Sequence, residues 1–518
     1  MNGAQALVRT LVAGGVDVCF TNPGTSEMHF VAALDAVPEM RGILALFEGV
    51  ATGAADGYAR MAGRPAATLL HLGPGLGNGL ANLHNARKAR SPIVNVVGDH
   101  ASYHKRYDAQ LESDIETVAR NVSSFVRRSG SPAAVAGDAA EAVAAAVGPP
   151  GQVATLILPA DVSWMEGAAP AERVAPTRPR TVSGEDVDAA VKALRSGEPA
   201  ALLVGGRACV GRALDDASRV ARATGAKLLC ETFPARLERG AGRPPVERLA
   251  YLGELAALQM DGLRHLVLVD AKSPVTFFAY PGKPSDLVPD GCQVHVLAGP
   301  TDDAVAAVAA LADAVGAPDD GWERQPAGRP SPPAGPLSAD AACAAVGALL
   351  PEGAIVVDEA VTSGLYAPGH TAGAPPHDWL SLTGGAIGQG LPTAVGAAVA
   401  CPGRKVLALE ADGSALYTMQ SWWTMAREGL DVTTVLFNNR SYAVLNMELD
   451  RVGAEAGGPR AKAMLDLRRP DLDFASLARG LGVPATTATT AEEFTLQLEE
   501  ALATEGPTVV EAILPSRL

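Results

Sequence analysis

VLALEADGSALYT (residues 406–418) and VTTVLFNN (432–439) are two apolar, β-branched runs that each break off at polar residues. Runs of this kind, short and apolar without alternation, read as strands buried on both faces of a parallel sheet. Asp412 and Asn439 stand 27 residues apart, about the length of one strand–turn–helix–strand unit. Both side chains therefore fall at the carboxyl ends of strands, where open α/β sheets collect their ligands.

Similar strands recur outward from this pair. Among them are AIVVDEA (354–360) and TVVEAIL (508–514) in the same block. A first block holds VDVCF (16–20), GILALF (42–47), AATLLHL (66–72), PIVNVVG (92–98) and VATLIL (153–158), and a middle one AALLVGG (200–206), HLVLVD (265–270) and QVHVLA (293–298). Ala-rich helical stretches separate the strands, and segments rich in Pro, Gly and Arg separate the blocks. The expectation is an α/β protein of three parallel-sheet domains, over 1–168, 185–318 and 336–518, which suits a chain of 518 residues.

Hydrophobic residues make up 48% of the chain and charged ones 19%, the balance of a compact folded protein. The formal net charge of −15 argues against nucleic-acid binding. No apolar run is long enough for a membrane span, and MNGAQALVRTLVAGGVDVCF has no signal-peptide pattern. Six scattered cysteines form no CxxC pair. A cytoplasmic location with reduced thiols is expected.

An acidic protein needs a local device to hold an anionic ligand. The carboxylate of Asp412, the amide oxygen of Asn439 and the backbone carbonyl of Ser441 would suit Mg²⁺, a hard cation that shares its oxygens with substrate phosphates. Gly413 and Ser414 open the next helix, where free N–H groups favour a phosphate. Read alone, Asp-Gly-Ser is also an ordinary helix-capping turn, and Asn-Asn an ordinary strand end.

The spacing resembles the cofactor signature of the thiamine diphosphate-dependent enzymes, Gly-Asp-Gly followed some two dozen residues later by Asn-Asn, with Ala411 in place of the first Gly. LFEGVATGAADGYAR (46–60) looks like the family's glutamate motif and places Glu48 at its catalytic position. A carboxyl there bonds the aminopyrimidine ring and promotes the tautomer that removes the thiazolium proton; otherwise Glu48 is a dipole-complementing acid of a first helical turn. In GGAIGQGLP (384–392) the resemblance assigns Ile387 to the wedge that bends the cofactor, and the carbonyl of Gly385 to its amino group. Thr362 and Ser363 fall where the family contacts the diphosphate. The resemblance also implies active sites shared between subunits, hence at least a homodimer and, commonly, a homotetramer.

Within the family the resemblance is to acetolactate synthase large subunits and to benzoylformate decarboxylase. NPGTSE (22–27) and Leu70-His71 match the decarboxylase, where a hydroxyl and a histidine handle the substrate carboxylate and protons; Thr25 and His71 take those places. The decarboxylase's second histidine is missing from SPVTFFAYPG (273–282), which shifts the expectation towards carboligation. The synthase's Phe-Gln-Glu reads Gln110-Leu111-Glu112, its flavin-associated motif is absent, and FAD is not expected. The expected function is acetolactate synthase-like: decarboxylation and/or carboligation of a 2-oxo acid by a lyase or transferase. The alternatives are a simple decarboxylase giving an aldehyde and a catalytically silent regulatory subunit. A nicotinamide-binding reading of GRACVG (206–211) has Ala at the second glycine position and is weak.

Overall fold

The computed structural model describes residues 1–454 and 458–516. The first block builds a six-stranded parallel sheet from β1 (Val18–Asn22), β2 (Arg41–Leu44), β3 (Ala66–Leu70), β4 (Ile93–Asp99), β5 (Phe125–Arg128) and β6 (Val153–Pro159), in the order β2-β1-β3-β4-β6-β5. In the middle block come β7 (Ala200–Val204), β8 (Lys227–Cys230), β9 (Leu237–Arg239), β10 (Glu247–Arg248), β11 (His265–Val269) and β12 (Gln293–Ala298). All but β9 form a parallel sheet ordered β10-β8-β7-β11-β12.

The last block contributes β13 (Ile355–Glu359), β14 (His377–Ser381), β15 (Val406–Ala411), β16 (Val432–Asn438), β17 (Ala485–Ala488) and β18 (Thr508–Ile513). Their order is β17-β18-β16-β15-β13-β14-β9, and β9 runs antiparallel on the edge. The sequence does not announce this exchange, because three residues carry no periodicity. It ties the middle block to the last one.

Several boundaries differ from the sequence reading. Strand β2 stops at Leu44, so that Phe47 is the extended residue before the helix Glu48–Ala62. Strand β3 stops at Leu70, and His71 is the residue before the helix Leu72–Ala89. In both places the acid or imidazole leaves the sheet at a helix start.

The first and last sheets share one apolar core across two helices, Glu48–Ala62 and Gly390–Ala400, whose Val50, Ala54, Leu391 and Val395 are buried. These helices touch backbone to backbone. A Cβ on Gly396 would run into the Ala54 carbonyl, and one on Gly57 into that of Thr393. Only glycine permits so close a crossing.

Candidate active site

Chain order fixes where the polar residues gather. In the first sheet the chain passes from β1 to β2 on one side and to β3 on the other, so β1 and β3 flank a topological switch point, the crevice where ligands bind in such sheets. Thr25 follows β1, and His71 follows β3. The last sheet has its switch point between β13 and β15. Thr362 and Ser363 follow β13, and Asp412 follows β15.

At the first crevice, Glu27 is fully buried and its Oε2 lies 2.8 Å from Nδ1 of His71. The same oxygen accepts the N–H of Gly24 at 2.8 Å. Burial raises the Glu27 carboxyl above its ordinary value, and the adjacent imidazole opposes the rise. With Nδ1 engaged, Nε2 of His71 is the nitrogen left to meet a ligand. Thr25 is exposed beside it, at the head of the short turn Thr25–Glu27. Glu48 belongs to the same group, since a Cβ on Gly75 would sit 3.2 Å from its Oε1 and 3.4 Å from the Cβ of His71. Its Oε2 accepts Asn78 Nδ2 at 3.0 Å, and among the described residues Oε1 accepts no hydrogen bond. A nine-tenths buried carboxyl is thereby left with one oxygen open to a partner.

At the second crevice, Asp412 is 3% exposed and accepts only backbone N–H groups here, Gly413 at 2.8 Å and Arg440 at 2.6 Å. Burial pushes its carboxyl up to about 6. Asn439 donates to Ser363 Oγ at 3.4 Å and accepts the Ser441 N–H at 3.0 Å. Ser363 and Asn439 both line a cavity of about 220 Å³. Among the described residues no three His, Cys, Asp or Glu converge. A metal at this crevice would rest on one carboxylate plus amide and backbone oxygens, a donor set that fits Mg²⁺ better than a transition metal.

The loop between the crevices is fastened from both sides. From the first block, Asn82 Nδ2 reaches the Gly388 carbonyl at 3.0 Å, and Asn85 Nδ2 that of Ala386 at 2.8 Å. From β13, Glu359 accepts the N–H groups of Gly388 (2.8 Å) and Gly390 (2.5 Å). Ile387 is half-buried on this loop and Gly385 has φ +74°. Glu27, Asn82, Asn85 and Glu359 were not singled out from the sequence; the Asn82/Asn85 spacing, one face of a helix, was the readable signal.

Backbone strain collects at the same places. Among the described non-glycine residues with positive φ are Leu72 (50°), Val361 (49°) and Arg440 (57°), next to His71, Thr362 and Asn439. For a β-branched valine this conformation is a true outlier, of a kind that persists chiefly at functional sites.

Two other sequence features resolve differently. In SPVTFFAYPG (273–282), which holds no histidine, Phe277 lies against Gly385. At the Gly205–Gly206 turn, Asp270 accepts the Arg207 N–H at 2.9 Å and pairs with Arg90, so a carboxylate fills the place a dinucleotide phosphate would take.

Comparison with known proteins identifies the family and the fold. Residues 1–119 match the family model "Thiamine pyrophosphate enzyme, N-terminal TPP binding domain", and residues 363–512 the corresponding "C-terminal TPP binding domain". The chain belongs to the thiamine pyrophosphate enzyme family. It is 62% identical, over 100% of its length and 99% of that protein, to the "Putative acetolactate synthase large subunit IlvX" of Mycobacterium tuberculosis. It is 29% identical to the benzoylformate decarboxylase of Pseudomonas aeruginosa, over 96% of each chain. The fold is that of the thiamine diphosphate-dependent 4-hydroxybenzoylformate decarboxylase of Rhodococcus jostii RHA1, with a TM-score of 0.87, 24% identity and 99% coverage of both chains. As a thiamine diphosphate-dependent enzyme it carries Glu48, His71 and Thr25 within the first matched segment, and Ser363, Gly385, Ile387, Asp412, Gly413, Ser414, Asn439 and Ser441 within the second. Thr362 lies one residue ahead of it.

Proposed function

We propose that this enzyme cleaves the bond between the carboxylate and the carbonyl of a 2-oxo acid and passes the acyl group to a second carbonyl compound, in the manner of an acetolactate synthase. When bound, thiamine diphosphate supplies a nucleophilic carbon and an electron sink that make this bond breakable. Asp412, Asn439 and the Ser441 carbonyl hold Mg²⁺, while Gly413, Ser414, Thr362 and Ser363 orient the diphosphate. Ile387 and Gly385 set the pose of the ring system. Glu48 offers its open Oε1 as the hydrogen-bond partner of a ring nitrogen, and thereby governs where the activating proton sits. His71, steadied by Glu27, and Thr25 receive the substrate carboxylate and move protons at the acyl carbon.

The observation that carries this reading is the pair of switch-point crevices, one bearing an acid with a free oxygen and the other a cation-poor carboxylate. Among the described residues no hydrogen bond or ion pair joins the Glu48 group to the Asp412 group, which supports a complete site assembled from two copies, at least a homodimer, and we extend this to a tetramer of two such pairs. No described helix is long and apolar enough to cross a membrane; we place the enzyme in the cytoplasm. Missing the second histidine favours carboligation, because proton delivery to the acyl carbon then rests on His71 alone.

Incubation with Mg²⁺, thiamine diphosphate and a panel of 2-oxo acids, with mass spectrometry of the products, tests this. A hydroxyketone larger than the donor is the expected product, and free aldehyde alone would assign a simple decarboxylase. No turnover with the cofactor bound would point to a regulatory subunit. Glu48→Gln should keep cofactor binding and lose CO₂ release by ~10²-fold or more; undiminished release would remove Glu48 from the mechanism.

A further inference from the structure

Beside the cofactor loop stands a cluster of rings from the middle block. Phe277 meets Phe278, Tyr251 and Phe233 with centroids 4.9, 5.4 and 5.8 Å away, at interplanar angles of 69°, 56° and 76°. These edge-to-face and tilted arrangements lock the rings against one another. The tip of Phe277 sits 2.5 Å from where a Cβ on Gly385 would project, so the ring rests directly on that backbone. Tyr251 donates to Glu448 Oε1 at 3.2 Å, on the helix Ala443–Arg451 that follows the Asn439–Ser441 turn. The cluster is therefore fastened to both segments assigned to the cofactor.

Its charged neighbours are already engaged. Arg451 pairs with Glu254 at 3.0 Å and lies 4.5 Å over the Tyr280 ring, and Lys283 pairs with Glu254. What remains turned outward is apolar: Phe277 is 42% exposed and Phe278 54%. Two phenyl rings left open beside the cofactor loop are costly in water, and a methyl group covers little of a phenyl face, whereas an aryl group can stack on it.

We propose that Phe277 and Phe278 form the wall that receives the side chain of the 2-oxo acid, and that this side chain is aryl or similarly large and flat rather than methyl. The inference rests on the reading of the enzyme as acting on 2-oxo acids, and it adds the substrate class and the residues that select it. No proton donor is part of this wall, which distinguishes it from the His71 side of the site and suits recognition rather than proton transfer.

Steady-state kinetics of the holoenzyme with phenylglyoxylate and with pyruvate measure the selectivity ratio of kcat/KM. The wild type should favour phenylglyoxylate. Phe277→Ala should lower the ratio by ~30-fold or more, chiefly through KM, and Phe277→Leu should fall between, in line with the discrimination that apolar pockets achieve. Calorimetric titration of phenylglyoxylate into the Glu48→Gln holoprotein gives a readout without turnover, and adding Phe277→Ala should weaken binding ~10-fold. Preference of the wild type for pyruvate, or a ratio that Phe277→Ala leaves unchanged, overturns the proposal. So does an unchanged ratio accompanied by weakened self-association, which would make the rings a subunit contact. Binding of phenylglyoxylate without release of CO₂ from either acid would sustain the aryl wall while refuting the decarboxylation reading beneath it.

Discussion

Glu27 illustrates what a single residue can do through another. Its carboxylate holds Nδ1 of His71 and the Gly24 N–H with one oxygen, so the imidazole is fixed in orientation. Glu27→Gln should lower kcat/KM by ~10- to 100-fold, the usual scale for an orienting partner. The loss should fall on kcat more than on KM, because a misoriented imidazole handles protons poorly while the groups that hold the cofactor are untouched. A purely structural role would lower the Tm and cofactor retention together with kcat. The sequence made His71 visible, because it stands at a strand end before glycines, but not its partner 44 residues earlier. Only the adjacency of β1 and β3 brings the two together, and adjacency is a property of sheet order that no local pattern encodes. Asp412, Asn439 and Glu48 were legible for the opposite reason, each being announced by a strand and by residues immediately around it.

At the level of elements, the helices Glu48–Ala62 and Gly390–Ala400 matter because each starts at a candidate cofactor contact: the first at Glu48, the second just after the Gly384–Gly390 loop. Their crossing is sealed by a buried network in which Asp56 holds Arg60 at 2.5 Å and accepts Gln389 Nε2 at 2.8 Å, while Arg60 donates to Ser381 O and Thr383 Oγ1, both at 2.8 Å. Gly396→Ala sets two effects against each other. Helix propensity gains ~1 kcal/mol, but the new methyl meets the Ala54 carbonyl, and overpacking costs ~1–3 kcal/mol with the helices forced apart. The clash should win, lowering the Tm and weakening cofactor retention together. Gly137→Ala is the control, since that helical glycine has nothing within 4 Å of the added methyl; it should leave the Tm unchanged or raise it. Equal Tm values for the two variants would contradict the close-crossing argument. The Gly- and Ala-rich run of 48–62 could be read as a helix in the sequence, but not as one needing glycine for a partner more than 300 residues away.

Over the whole molecule, the three-block α/β layout followed from alternating strands and helices with Pro-rich breaks. Short strands such as β5, β8, β14 and β17 escaped because four or five residues of mixed character carry no period. The antiparallel β9 escaped because its pairing to β14 is long-range. If the site is shared as proposed, the Glu48 group and the Asp412 group, joined by no hydrogen bond among the described residues, complete each other between two chains. In an isologous dimer every site then takes one half from each copy.

Mixing two inactive variants tests that claim. Glu48→Gln and Asp412→Ala, each expected to release almost no CO₂ alone, should on co-expression form hybrid dimers in which one site carries both lesions and the other none. Random pairing would restore ~a quarter of the wild-type rate. Recovery near that level is the predicted result, and a co-expressed mixture that stays as inactive as its parents, with hybrid dimers verified by mass, would contradict the shared site.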